Sequence, residues 1–258
     1  MENLGEITRR VAATVKANTG ATTSTEATKP ACPFNECDGG GWVFVRDEDG
    51  ERMRQCRCAI ARKEQARLER LFKTARIPRR FRERRLEDFD STYQKGAWKI
   101  ACRYAEQFEA LRQENKNGLC FVGPPGTGKS HLAYGILNTL LARGVPGICG
   151  SVPEIMDLLR PQAGPGQEAQ ERLELLKTMD VVILDDLGAE RNTEWVTERL
   201  YLIINARYGE MLPTIITSNL ELEELEKLPG WERITSRLFE MCHLVRVDGP
   251  DYRKGGKR

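Results

Sequence analysis

The chain has 258 residues, of which 40% are hydrophobic and 30% charged, and its formal net charge is +2. These values suit one sizeable globular domain plus a smaller appendage, and they exclude a global field that would draw the whole protein onto nucleic acid or an acidic surface. No apolar run approaches the roughly 20 residues of a membrane span, and the opening MENLGEITRRVAATVKA lacks the apolar core of a secretory signal. The expected compartment is the cytoplasm, with no membrane partner.

In chain order, Leu4, Ile7, Val11 and Val15 recur at helical spacing and predict a short amphipathic helix over 4–17. The Thr- and Ala-rich NTGATTSTEATKPA reads as a linker, so 1–31 forms a first segment. Next come Cys32, Cys37, Cys56 and Cys58, half of the eight cysteines. Two close pairs of thiolates can complete a tetrahedral Zn2+ site. A metal makes sense in a stretch with too few apolar side chains to fold alone. Gly39, Gly40 and Gly41 permit a tight turn, and WVFV at 42–45 predicts one strand of a ribbon hairpin turning at Asp49-Gly50. The C-x4-C and C-x-C spacings are looser than the usual C-x2-C pairs. Cys102, Cys120, Cys149 and Cys242 stand singly in apolar or amphipathic surroundings and read as small core residues.

AIARKEQARLERLFKTA predicts a basic helix over 59–75 that Pro78 closes, which ends a second segment, 32–75. Between Arg54 and Arg85 there are 13 Lys or Arg against 3 Glu. Such a run either tracks phosphates or covers a solvated helix face. A further helix is expected over 98–113. From there short apolar runs at 119–123, 147–151, 181–186, 213–219 and 243–247 alternate with helical patterns at 129–143, 152–160, 168–178, 193–210 and 231–242. That alternation predicts an α/β domain over 76–258, with five parallel strands between helices. The stretch PQAGPG at 161–166 reads as an exposed loop.

Gly123, Pro124, Pro125, Gly126, Thr127, Gly128, Lys129 and Ser130 match the G-x-x-x-x-G-K-S/T phosphate loop, between a predicted strand and a predicted helix. Its glycines let backbone N–H groups face phosphates, and the helix N-terminus adds positive dipole. Lys129 is placed to reach the β and γ phosphates of ATP, Ser130 to meet Mg2+, and His131 follows at the same helix end. VVILDD at 181–186 is the partner strand: Asp185 holds Mg2+, and Asp186 either orients the attacking water or caps the next turn. Asn219 ends the 213–219 run next to the same crevice.

With these pieces in place, the chain from about Phe72 onward resembles the AAA+ ATPases, and more narrowly the DnaC/DnaI-type replicative helicase loaders and the related IstB-like proteins. GPPGTGKSHLA, VVILDDLGAE, IINARYGEMLPTIITSNL and RITSRLFEMCHLVRVDGPDYR carry the likeness. The resemblance implies an AAA+ P-loop ATPase without the C-terminal lid, preceded by a small zinc-ribbon-like module. It implies Asn219 as the first sensor, Arg237, favoured over Arg233 by its place before Leu238, as an arginine finger reaching a neighbouring subunit's nucleotide, and Arg253 as a second sensor. It implies three partners: a hexameric replicative helicase held by the N-terminal part, single-stranded DNA, and further copies in an ATP-bridged oligomer. The segment after GICGS, with Arg160, is a candidate DNA contact. The alternatives are an IstB-like helper of transposition and a nucleotide-gated interaction module. Asp186 is one methylene shorter than the Glu of vigorous motors, which implies slow, partner-stimulated hydrolysis.

Overall fold

The structure is a computed structural model that describes residues 32–47, 50–160 and 167–255. The helix expected over 4–17, its linker, Asp49 and the loop at 161–166 lie outside the described residues. The chain divides into two compact units, Met1–Arg70 and Leu71–Arg258.

In the first unit, β1 (Trp42–Asp47) and β2 (Gly50–Gln55) form an antiparallel hairpin with Trp42 opposite Gln55 and Asp47 opposite Gly50. The Gly41 carbonyl accepts from Cys56 N at 2.8 Å. Gly41 has φ +84°, and a Cβ there would come within 2.8 Å of the Ala59 side chain, so only glycine lets the chain pass. Helix α1 (Arg57–Ala75) begins two residues before the expected Ala59. The reason is local: the Cys56 carbonyl accepts from Ala59 N and Ile60 N at 3.0 and 3.2 Å, so the cysteine itself opens the helix. Among the described residues, the buried centre of this unit is Cys32, Cys56 and Cys58, with Phe34, Cys37 and Val43 packed around them.

In the second unit, a single 3-10 turn at Arg79–Phe81 leads to α2 (Lys95–Glu106). The helix expected over 98–113 is broken at Gln107 and resumes as one turn at Phe108–Leu111. The break lets Phe108 bury beside Tyr104, whose hydroxyl donates to the Asn117 carbonyl at 2.6 Å. Besides single helical turns at Leu222–Leu225 and Tyr252–Gly255, the remaining elements are β3 (Gly118–Val122), α3 (Lys129–Ala142), β4 (Gly147–Ser151), α4 (Val152–Leu159), α5 (Gln167–Thr178), β5 (Val181–Leu187), α6 (Glu194–Gly209), β6 (Thr214–Ser218), α7 (Glu232–Met241) and β7 (Cys242–Arg246). Each lies within one residue of its expected bounds.

The five strands are parallel in the order β4-β5-β6-β3-β7. Alternate residues of each strand enter opposite cores, as a two-sided sheet requires. Leu119, Phe121, Val181 and Ile183 pack with α2 and α3. Cys120, Val122, Val182 and Leu184 pack with α4, α5, α6 and α7. The chain leaves β3 for the far edge at β4, while β6 leads to β7 on the other side of β3. The crevice beyond the C-terminal ends of β3 and β6 is therefore the topological switch point, where α/β sheets bind ligands.

A fully buried arginine holds the opposite end of the sheet in place. Arg207 of α6 donates to Thr214 Oγ1 at 2.8 Å and to the carbonyls of Leu176, Met179 and Pro213 at 3.1, 2.9 and 2.7 Å. Burial brings its pKa down to about 9. Four polar acceptors offset the cost of desolvating the charge, and they tie the strand entries of β5 and β6 to one helix.

Candidate functional site

The phosphate loop follows β3 and enters α3 at the switch point. Gly126 and Gly128 have φ +81° and +101°; a Cβ on the first would run into the Asp251 carboxylate, and one on the second would come within 2.7 Å of the Phe89 ring. These two glycines are required for both backbone and space. Thr127 Oγ1 donates to the Pro124 carbonyl at 2.9 Å, and Tyr252 N donates to the Gly126 carbonyl at 3.1 Å. Pro124 and Pro125 are exposed at the tip.

Lys129 is buried, and its ammonium donates to the Gly123 and Pro124 carbonyls at 2.7 Å each and to Asn219 Oδ1 at 2.8 Å. Those three bonds use all its donors. Burial lowers its pKa; the charge of Asp186 opposes that shift, and the nearby charge of Arg253 adds to it. Arg253 is exposed on the single helical turn Tyr252–Gly255, whose Tyr252 N–H bonds the Gly126 carbonyl of the loop.

Ser130 Oγ and Thr217 Oγ1 both donate to Asp185 Oδ1, at 2.8 and 2.6 Å. Burial raises the pKa of Asp185; the Thr217 hydrogen bond opposes it, Asp186 adds to it, and Ser130 and the Tyr134 hydroxyl oppose it. Thr217 Oγ1 also accepts from Asp186 N at 2.9 Å. Pairing of β5 with β6 shifts register between Leu184 and Leu187, and Asp186 sits at φ +55° in that irregularity. A non-glycine residue in the left-handed region is strained, and such strain clusters at functional sites. Among the described residues the Asp186 side chain makes no hydrogen bond or ion pair.

Thus Lys129, Ser130, Asp185, Asp186 and Asn219 meet at one crevice. His131 turns to the segment that precedes β3: its Nε2 lies 2.9 Å from the Arg85 carbonyl and its ring meets Phe89 edge-on, while burial lowers its pKa. Thr217 and Tyr134 were not singled out from the sequence; the only signal was a threonine inside an apolar strand.

The two arginines of α7 differ. Arg237 donates to Asn205 Oδ1 at 2.9 Å, to the Arg233 carbonyl at 2.8 Å and to the Tyr201 hydroxyl at 3.4 Å, and it lies over the Tyr201 and Tyr208 rings. The Arg233 side chain is exposed and has no hydrogen bond or ion pair among the described residues. Arg160 lies over Trp195 and 3.8 Å from Asp157.

In the first unit the four sulfurs of Cys32, Cys37, Cys56 and Cys58 lie within 4.8 Å of one another. The Cys32–Cys56 separation is 3.7 Å and the Cys37–Cys58 separation 3.5 Å. Bonds of about 2.3 Å to a tetrahedral zinc imply S–S edges of about 3.8 Å, so the cluster is compatible with zinc. Burial opposes the thiolate at Cys32, but backbone N–H groups of Phe34, Cys37 and Glu36 outweigh it and bring the pKa to about 6. Burial pushes Cys58 up to about 12. Arg62 Nη2 is 3.6 Å from Cys58 Sγ and donates to the Gly39 carbonyl at 3.1 Å, placing a cation against the sulfurs.

Comparison with known proteins fits this geometry. The profile described as "IstB-like ATP binding protein" matches residues 57–258. The chain belongs to the IstB-like ATP-binding family. Its hairpin and first three cluster cysteines precede the matched region. The family member is 29% identical to the phage-like element PBSX protein XkdC of Bacillus subtilis (strain 168) over 229 residues, covering 84% of this chain and 82% of that one. It is 31% identical to the replicative helicase loader DnaC of Escherichia coli (strain K12) over 146 residues, 56% of this chain and 58% of DnaC. The crystal structure of DnaI aligns with a TM-score of 0.58 at 28% identity, covering 70% of this chain and 98% of that one. No helix among the described residues is long and apolar enough to cross a membrane.

The burial of Asp185 sets a stability prediction. Its folded pKa lies above its unfolded value, so its contribution to stability is full when protonated, near and below pH 4, and is lost as pH rises through the folded pKa. At pH 7 and without nucleotide, Asp185→Asn should melt at the wild-type temperature or higher, since an amide oxygen can still accept from Ser130 and Thr217. The gap should close on acidification. A melting temperature several degrees lower at pH 7 would show that the carboxylate is stabilising.

Proposed function

We propose that this protein is an ATP-dependent loader that delivers a hexameric replicative helicase to single-stranded DNA in the cytoplasm during initiation of replication. The observation that carries the reading is the convergence of Lys129, Ser130, Asp185 and Asn219 at one crevice, in a chain whose relatives over that region include named helicase loaders. The donor set fits ATP and Mg2+: positive-φ glycines free the loop N–H groups, Lys129 faces Asn219, and Ser130 faces Asp185. Bound Mg2+ would neutralise charge on the phosphates as they separate.

Lys129 would bind the β and γ phosphates, exchanging loop carbonyls for phosphate oxygens. Ser130 and Asp185 would hold the metal. Asp186, free of side-chain partners and strained toward the crevice mouth, would orient the attacking water. Its short reach supports slow hydrolysis, which suits a switch. Asn219 would couple the γ-phosphate to β6, and Arg253 would add charge from the turn against the loop. His131 positions the loop through the Arg85 carbonyl and Phe89.

Arg233 is the better arginine finger. Arg237 is engaged by Asn205, Tyr201 and Tyr208 of its own subunit, whereas Arg233 is free to reach the nucleotide of a neighbour in an ATP-bridged oligomer. The cysteine cluster holds zinc as a staple for a module whose core is otherwise three cysteines and three partly buried side chains.

Three outcomes follow. The full chain should co-elute with the host's hexameric helicase in the presence of ATP, and Lys129→Ala should lose the ATP dependence; no co-elution under either condition, with filaments on duplex DNA instead, would favour the transposition-helper reading. Arg233→Ala should cut the ATPase rate of the assembled protein by at least about 100-fold at an unchanged melting temperature, while Arg237→Ala should lower the melting temperature. Equal rates for Arg233→Ala and wild type would reject the finger. Elemental analysis should find one zinc per chain, lost in Cys56→Ser together with hydrogen-exchange protection of the hairpin; a metal-free, fully protected hairpin in the wild type would rule the staple out.

A further inference from the structure

We propose that the turn at residues 76–85 is a docking surface for the phosphate backbone of single-stranded DNA; the choice of strand rests on the loader reading. The structure splits the basic run of 54–85 into two halves with different chemistry. In the earlier half the arginines are engaged. Arg54 and Arg57 pair with Glu36 at 3.6 and 2.5 Å. Arg62 is bonded to Gly39 and Cys58, Arg67 pairs with Glu64 at 3.0 Å, and Arg70 donates to the Ala66 carbonyl. These arginines build their own unit.

The later half is different. Arg76, Arg79, Arg80, Arg82, Arg84 and Arg85 are all exposed. Among the described residues none of them forms an ion pair, and only Arg82 makes a side-chain hydrogen bond, to the Ile77 carbonyl at 3.0 Å. Elsewhere in a chain with 38 acids for 40 bases, carboxylates find arginines readily. Six like charges left unpaired within ten residues repel one another, and a polyanion relieves that repulsion.

The backbone beneath them is fixed. Asn138 Nδ2 donates to the carbonyls of Phe81 and Arg84 at 2.8 Å each, and His131 Nε2 meets that of Arg85 at 2.9 Å. Phe81 stacks on Tyr134 with centroids 4.4 Å apart, and Trp98 Nε1 donates to the Leu86 carbonyl at 2.8 Å. The carbonyls and aromatic rings face α3 and α2, so the guanidinium groups are left to solvent on a rigid turn. No exposed aromatic side chain lies among them, so contacts go to phosphates and not to base faces. A duplex is stiff over many base pairs, whereas a single strand bends at each nucleotide and can follow so tight a turn.

The test is fluorescence anisotropy of labelled oligo(dT) with the full chain across a salt series. In a variant with Arg79→Ala, Arg80→Ala, Arg84→Ala and Arg85→Ala, the slope of log affinity against log salt should fall by about 0.7 per lost contact, up to about 2.8, with at least a ~10-fold weaker complex at low salt. The matching four-lysine variant should keep most of the slope. Melting temperature and binding of a fluorescent ATP analogue should match wild type, which separates a lost surface from a lost fold. An unchanged slope overturns the proposal, as does loss of duplex binding alone. Loss of helicase capture with oligo(dT) binding intact also overturns it and makes the turn a protein contact. Wild type that captures helicase but not oligo(dT) sinks only this surface. Oligo(dT) binding that fails in the alanine variant, with no helicase capture by wild type, sinks only the loader reading.

Discussion

The second unit depends on one buried carboxylate. Asp185 lies near the C-terminal end of β5 in surroundings that disfavour its charge, and hydroxyls of Ser130 and Thr217 make that placement tolerable. Ser130 begins α3, and Thr217 lies in β6, so a single oxygen ties together the helix after the phosphate loop and two neighbouring strands. Thr217 also accepts from Asp186 N and so fixes the bulge that turns Asp186 into the left-handed region. An apolar residue at 185 would avoid the cost of burying a charge and would leave Ser130 and Thr217 without a carboxylate to donate to. The strand spends stability on a site, as strained and buried polar groups commonly do.

The same economy recurs in the cations. Lys129, Arg207 and Arg237 each spend their donors inside their own domain: on loop carbonyls and Asn219, on strand-entry carbonyls, and on a pair of tyrosines with Asn205. Arg233 and the arginines of the 76–85 turn do not. Internal cations fix where the strands and loops lie, whereas unpaired ones point to what the domain meets. The segment 77–98 joins these two roles. It carries the free arginines outward and supplies Phe89, the Arg85 carbonyl and Leu86 to α3, so a surface and the nucleotide loop share one rigid support.

Much of this was legible in the sequence. Periodicity placed five strands and their helices within a residue, because the inner strands are short apolar runs buried on both faces and the helical stretches between them keep a longer apolar period. The phosphate loop and Asp185 were legible because glycine, lysine and acid at those positions serve few purposes other than phosphate and metal. The cysteine pairs announced their cluster despite loose spacing. Less legible was anything that depended on which groups meet. The helix over 98–113 breaks because Phe108 must be buried, and α1 starts at Arg57 because the Cys56 carbonyl caps it. Arg233 and Arg237 look alike in RITSR and differ only in what α6 presents to each.

By itself, then, the sequence determined the class of fold, the phosphate-loop motif and the cysteine set, since periodicity and short motifs are properties of neighbours along the chain. Tertiary structure alone decided strand order, the role of Thr217, the burial of Arg207, the partner of His131, and which arginines are spent and which are free. Those depend on contacts between residues tens of positions apart, where desolvation and hydrogen-bond geometry choose one partner among many that composition allows.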